Sequence, residues 1–280
     1  MAAMEIDAET KLILLLGHPV RHSVSPLMHN RVFEELGLPL VYLAADVEPD
    51  LLAPAVEGLR ALGVIGANVT LPHKVRVMTL LDAVDEYAAR IGAVNTIVNS
   101  HGRLLGYNTD AQGFMSALEA QWGGEVASAS ILLLGAGGAA RAVAAVLAQR
   151  RVKELRIWNR TPAKAHSLCR DALDWGAVRC VVVDIHEPRW LKDVDVVVQA
   201  TSSGLTDAVK EPLIPVDILR EDTFVMDLQY GGSPLVAAAV ARGLRSEDGL
   251  EMLVRQASLS FRLWTGLSAP EHAMRAAAAG

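Results

Sequence analysis

Cysteine, lysine and aromatic side chains are scarce in this 280-residue chain, and no apolar run is long. Cys169 and Cys180 stand outside any Cys-x-x-Cys pair and have no histidines at metal-ligand spacing, which fits a reducing compartment. Both are expected to be buried small hydrophobes. No stretch approaches the roughly 20 apolar residues of a membrane helix. The run after "MAAMEIDAET" is too short, too acidic in its approach and without a cleavage site for a signal peptide, so a cytoplasmic location is expected. The net charge of −6, with no clustered basic window, excludes a broad nucleic-acid surface. Any anionic ligand must be held locally. His18, His22, His29 and His73 form no metal spacing and read as helix-end or loop residues, so no metal is expected.

What is present is an ordinary globular balance, 51% hydrophobic and 21% charged, over a length that suits two domains. β-branched apolar runs, "LILLL" at 12–16, "LVYLAADV" at 40–47, "VIGANVT" at 64–70 and "NTIVN" at 95–99, alternate with amphipathic stretches and predict an α/β domain with a mostly parallel sheet. A second series, "SILLLG", "LRIWN", "AVRCVVV", "VDVVVQA" and "TFVMDL", follows the "WGGEVASAS" loop. The expected division is a first domain at 1–109, completed by the helix region 251–280, and a second at 110–250. The helix "LEMLVRQASLSFRLWTGL" has apolar positions for more than one surface and is expected to fold back onto the first domain.

"ILLLGAGGAARAVAAVLAQ" places a buried-type strand, a turn Gly135-x-Gly137-x-x-Ala140 and a helix in succession. That is the context of a Rossmann-type dinucleotide fingerprint, in which glycines let the backbone approach a pyrophosphate at a helix N-terminus. Gly135, Ala136, Gly137, Gly138 and Ala139 are the candidate contacts. NAD-binding chains place an acid at the end of the next strand. Here Asn159, Arg160 and Thr161 stand there, and a guanidinium pairs with a 2′-phosphate rather than a hydroxyl, so NADP is expected.

In "GHPVRHSVSPLMHN", Ser25 suits a helix cap with Pro26 at the first helical position, which leaves Ser23 without a structural use. Lys74, in "GANVTLPHKVRVM", falls after a strand and Pro72 at the expected start of a helix, where the macrodipole opposes a cation by about 0.3–1 kcal/mol. A lysine held there suits proton exchange with a hydroxyl or carbonyl oxygen, and an exposed surface lysine fits the position equally well. Asp110 reads as an N-cap carboxylate or as the partner of such a lysine. Thr70 and Asn95 sit at strand ends, where they are turn residues or ligand contacts.

Taken together, "HSVSP", "NVTLPHK", "GAVNT", "NTD", "GAGGAAR", "NRT", "ATSSG", "DLQY" and "DGLEMLVRQASLSFRLWTG" resemble, in order, the motifs of the shikimate dehydrogenase family, from the first strand to the final helix. The resemblance implies a catalytic domain facing an NADP-binding domain across a cleft, and reduction of 3-dehydroshikimate to shikimate with NADPH in aromatic amino-acid biosynthesis. It further implies Lys74 and Asp110 as the catalytic pair. By the same resemblance Ser23, Ser25 and Tyr230 lie at the substrate carboxylate, Thr70, Asn95 and Gln256 at ring hydroxyls, and Thr201 among the cofactor contacts. The protein is expected to act as a monomer or homodimer.

Three positions depart from the family's habit: Gln199 where asparagine is common, "YGGSP" where a proline soon follows the tyrosine, and Glu251 where glycine is common. A paralogue oxidising quinate or aminoshikimate could keep Lys74 and Asp110, but relatives that accept quinate often alter one serine of the Ser-x-Ser pair, and both are retained here. A non-catalytic NADP or metabolite sensor would have no need of a proton-transfer pair. A folate-type dehydrogenase of similar plan would not need the paired serines.

Overall fold

A computed structural model describes residues 6–201 and 211–279 of the chain. It contains two compact units, Met1–Gly113 with Val254–Gly280, and Phe114–Leu253. The seams at Gly113 and Leu253 fall inside helices, a turn beyond the expected seams at Asp110 and Glu251.

The first unit begins with β1 (Lys11–Gly17), α1 (Ser25–Leu36), β2 (Leu40–Asp46), α2 (Leu52–Ala61) and β3 (Gly66–Val69). Helix α1 buries Met28, His29, Val32 and Phe33 on one stripe and ends at Gly37, whose left-handed φ of 62° turns its amide back onto the last carbonyls. There follow β4 (Ala83–Val84), α3 (Glu86–Ile91), β5 (Thr96–Ser100), β6 (Arg103–Tyr107) and the start of α4 (Asp110–Trp122). The sheet order is β2-β1-β3-β5-β6-β4.

This sheet is mostly parallel, as expected, with one strand reversed. β1 pairs parallel with β2 and β3, whereas β5 runs antiparallel to both β3 and β6. The reversal is a two-residue hairpin at His101 and Gly102, both at positive φ (55° and 85°), which gives the twist that antiparallel strands require. Strands β4 and β6, absent from the sequence reading, are too short or too interrupted by glycine to show an apolar pattern. Leu16, Val56, Leu59, Val69, Ile97 and Leu104 are among the side chains that fill the core beneath the sheet.

The second unit comprises β7 (Ser130–Leu134), α5 (Gly138–Gln149), β8 (Glu154–Trp158), α6 (Pro162–Asp174), β9 (Cys180–Val182), β10 (Val196–Gln199), β11 (Phe224–Asp227), α7 (Pro234–Ala241) and β12 (Ser246–Glu247). Its strands pair in parallel throughout, in the order β12-β11-β10-β7-β8-β9, the doubly wound arrangement. Cys169 is buried as expected, but Cys180, on edge strand β9, is only half-buried. Helix α8 (Leu250–Thr265) leaves this unit after Leu253, and from Val254 onward it belongs to the first, followed by α9 (Glu271–Ala279), which packs on α1. No helix among the described residues is long and apolar enough to cross a membrane. No group of three or more His, Cys, Asp or Glu side chains among them could hold a metal.

Candidate active site

Topology gathers the polar candidates of the first unit on one edge of its sheet. Ser23 and Ser25 follow β1, Thr70 and Lys74 follow β3, Asn95 precedes the antiparallel β5, and Asp110 follows β6. Since β2 and β3 flank β1 on opposite sides, the loops after β1 and β3 diverge at a topological switch point, where open α/β sheets collect ligands.

Lys74 does not open an α-helix. It lies in a turn before a five-residue 3-10 helix, Arg76–Leu80, so the expected macrodipole penalty does not apply. Its place is fixed by the Thr70 turn, closed by His73 N–H onto Thr70 O at 2.9 Å, and by Val94 N–H donating to Lys74 O at 2.8 Å. The ammonium donates to Asp110 Oδ2 at 2.7 Å, with the two side chains only 15% and 6% exposed. Nor does Asp110 cap α4. Asn108 Oδ1 accepts the Ala111 amide at 3.2 Å, and the Asp110 carboxylate turns to Lys74 and to Asn95 Nδ2, at 2.8 Å.

Asn95 is 3% exposed and joins the strand to α8. Its Nδ2 donates toward Thr109 Oγ1 at 2.9 Å and Gln256 Oε1 at 3.3 Å, while its Oδ1 accepts the Thr109 amide at 2.8 Å. Gly113 permits this approach, because a Cβ there would stand 2.8 Å from Gln256 Cβ. The helix start at Ser25 also differs from expectation. Val24 is the cap, Ser25 is the first helical residue, and Pro26 the second; Ser23 Oγ accepts the Ser25 amide at 3.3 Å. Ser25 is buried, and burial pushes the Tyr42 phenol well above the ordinary tyrosine range.

Several residues of this site were missed in the sequence reading. Tyr42 O–H donates to Asn68 Oδ1 at 2.9 Å, and Asn68 Nδ2 donates toward Asn95 O at 3.0 Å, Ser260 Oγ at 3.1 Å and Thr96 Oγ1 at 3.2 Å. Ser260 Oγ also lies 2.8 Å from Thr96 Oγ1 and 3.1 Å from Thr109 Oγ1. A polar chain thus runs from Tyr42 to Asp110 through the interior. Buried polar groups of this kind each cost about 1–3 kcal/mol if left unpaired, so the network holds one geometry. Signals were available: Asn68 interrupts a wholly buried strand, and Gln256 and Ser260 fall four apart on one helical face.

His29 departs from the helix-end or loop reading, whereas His73 lies in a loop as expected but is buried. His29 lies inside α1, fully buried and stacked on Tyr42 with ring centroids 4.5 Å apart, and burial lowers its pKa to about 3. His73 is 1% exposed, with Nε2 2.7 Å from Val47 O.

The second unit has its own switch point, between β7 and β10. Gly135 leaves β7 at φ 122°, and a Cβ there would come within 2.8 Å of Ala200 O, so only glycine fits. Gly137 caps α5 in extended conformation, without a side-chain cap bond, and among the described residues nothing stands within 4 Å of where a Cβ would project. The first amides of α5, at Gly138 and Ala139 after Ala136, therefore face an uncrowded turn that suits a diphosphate. At the end of β8, Asn159 Nδ2 donates to Thr161 O at 3.0 Å and Thr161 caps α6. Arg160 is exposed, and among the described residues nothing engages its guanidinium. Thr201, after β10, accepts Gln229 Nε2 at its carbonyl, 2.8 Å away. Ser202 to Gly204 of the "ATSSG" motif lie outside the described residues. Tyr230 follows β11 in this unit and is half-buried.

Comparison with known proteins agrees along the chain. Residues 15–97 match the shikimate dehydrogenase substrate binding domain, 117–228 match shikimate / quinate 5-dehydrogenase, and 249–279 match the shikimate 5'-dehydrogenase C-terminal domain. A shikimate dehydrogenase (NADP(+)) of Moorella thermoacetica is 47% identical over 272 residues, 95% of this chain and 92% of that one. A crystal structure of a shikimate dehydrogenase in complex with NADP+ superposes with a TM-score of 0.91 at 39% identity, covering 99% of this chain and 97% of the other. The Thermus thermophilus shikimate 5-dehydrogenase in complex with NADP(H) and shikimate gives 0.85 at 39% identity, covering 96% and 98%. With its motifs, its two sheets and its relatives in accord over nearly the whole length, the chain belongs to the shikimate dehydrogenase family.

Proposed function

We propose that this protein is an NADP-dependent shikimate dehydrogenase, interconverting 3-dehydroshikimate and shikimate. The observation that carries the reading is the buried Lys74–Asp110 pair, 2.7 Å apart at the sheet edge beside Asn95. NADPH, when bound, supplies the hydride that the substrate's carbonyl carbon accepts. Lys74 Nζ then donates to the carbonyl oxygen, stabilises the developing alkoxide and passes it the proton that completes the hydroxyl. Asp110 holds the ammonium by one oxygen and Asn95 by the other, so the donor is oriented before substrate arrives.

Ser23, Ser25 and Tyr230 take the substrate carboxylate, while Thr70, Asn95 and Gln256 take ring hydroxyls. Gly135 to Ala139, with Thr201, cradle the cofactor, and Arg160, with Asn159 and Thr161, meets its 2′-phosphate. An acid at the end of β8 would repel that phosphate, and a cation attracts it. The test is a spectrophotometric comparison of shikimate, quinate and aminoshikimate, each with NADP and with NAD. Shikimate with NADP is expected to be turned over most efficiently; efficient turnover of quinate or aminoshikimate but not shikimate would overturn the substrate assignment.

A further inference from the structure

The loop from β11 to α7 carries Tyr230 and is closed at both ends on one carboxylate. Asp227 is 0% exposed. At the start of the loop its Oδ1 accepts the Gln229 amide at 2.9 Å, and at the end its Oδ2 accepts the Ser233 hydroxyl at 2.5 Å. Gln199, its register partner on β10, donates Nε2 to the same Oδ2 at 2.5 Å. Ser233 also caps α7, taking the Leu235 and Val236 amides at 3.2 and 3.3 Å.

Between those anchors Gly231 and Gly232 adopt φ of 84° and 114°, and among the described residues nothing lies within 4 Å of where their Cβ atoms would be. Bracing comes instead from the start of α8, where Gly249 N–H donates to Gln229 O at 2.7 Å and Asp248 Oδ2 accepts the Gly231 amide at 3.4 Å. These contacts include the positions at which this chain departs from its family's habit, Gln199 and "YGGSP".

We propose that Asp227 is a positioning residue, whose ionised carboxylate clamps residues 228–233 and so fixes the loop that carries Tyr230. This deepens the dehydrogenase reading and rests on it. Three donors converge on Asp227, and an ionised carboxylate, being acceptor-only, takes all three. A protonated acid places its own O–H among them, and the clamp opens. Burial raises the Asp227 carboxyl to about 6, against the hydrogen bonds from Ser233, Gln229 and Gln199, and the charge of Asp248 adds to the rise. Behind Asp248 stand Glu247 on β12 and Glu251 on α8, so the charges on this side are acidic.

Asp227→Asn replaces an acceptor by a donor at nearly constant size. Its KM for shikimate at about pH 8 is expected to rise about tenfold or more, the scale of a lost charge-assisted hydrogen bond, with KM for NADP within about twofold. Wild-type KM should rise as pH falls from about 7 to 5, whereas the variant's should be high and flat. Hydrogen exchange of the amides of 228–233 should be faster in the variant, a readout that needs no substrate. Ser233→Ala keeps the carboxylate but removes one arm, so it should move the acid limb to higher pH; it decides the matter if Asp227→Asn fails to fold. Wild-type KM and exchange in Asp227→Asn, or a wild-type KM independent of pH, would overturn the proposal. If the wild type does not oxidise shikimate, the dehydrogenase reading fails and the exchange comparison alone judges the clamp.

Discussion

Lys74 and Asp110, thirty-six residues apart in sequence, meet at 2.7 Å with both side chains largely buried. A buried ion pair contributes little net stability, because desolvation offsets attraction, but removing one partner leaves an uncompensated charge at a cost of about 3–5 kcal/mol. Lys74→Ala is therefore expected to lower kcat/KM for shikimate by about 10²–10⁴-fold. The variant should also unfold at lower urea, while NADPH affinity, measured by fluorescence titration, stays within about twofold. Normal turnover would remove the lysine from the chemistry.

Arg160 is the cation at the end of β8. Charge-assisted hydrogen bonds are worth about 1.5–3 kcal/mol, so Arg160→Ala should weaken NADP about tenfold or more and leave NAD nearly unaffected. Separate titrations with the two nucleotides check this, and equal weakening would count against contact with the 2′-phosphate.

Gly135 combines a φ of 122° with a close approach to Ala200 O. Gly135→Ala forces both a strained backbone and a displaced Ala200 carbonyl, at a cost of about 1–3 kcal/mol. Urea unfolding should register that loss, and NADPH affinity should fall with it because the turn is shared. A variant as stable as wild type would mean that the turn relaxes freely.

His29 gives the fold an acid weakness. Its pKa is lowered from 6.5 to about 3 by burial, and among the described residues neither ring nitrogen has a hydrogen-bond partner. The unfolded chain takes up a proton there as pH falls below about 6.5, whereas the folded chain resists until about 3, so stability is full above the first value and declines toward the second. The displacement corresponds to about 5 kcal/mol at roughly 1.36 kcal/mol per unit. His29→Met should be at least as stable at neutral pH and should lose much less on acidification, as urea unfolding at about pH 7 and pH 4 would reveal.

The elements most legible in the sequence were those with a local physical cause. The turn after β7 announces itself because strand, glycines and helix are contiguous, and the helix stripe of α1 follows from spacing alone. The same stripe contains His29, so its burial was available from periodicity even though the residue type pointed elsewhere. What was not legible depends on distant partners. Asn68 and Ser260 are 192 residues apart, and nothing near either one names the other. Ser25 was read as a cap because that is what its neighbours suggest, yet Val24 is the cap and Ser25 the first helical residue; Asp110, read as a cap or as a lysine's partner, pairs with Lys74. β4 and β12, at two residues each, exist only because a neighbouring strand offers an edge.

The hairpin of β5 and β6 has a practical use. Asn95 and Asp110 stand at its open end, and the exposed turn at His101 and Gly102 stands at the other, about 17 Å away at ~3.3 Å per strand residue. A fluorophore or affinity handle grafted at that tip would report on, or immobilise, the molecule without disturbing the residues that meet at the base.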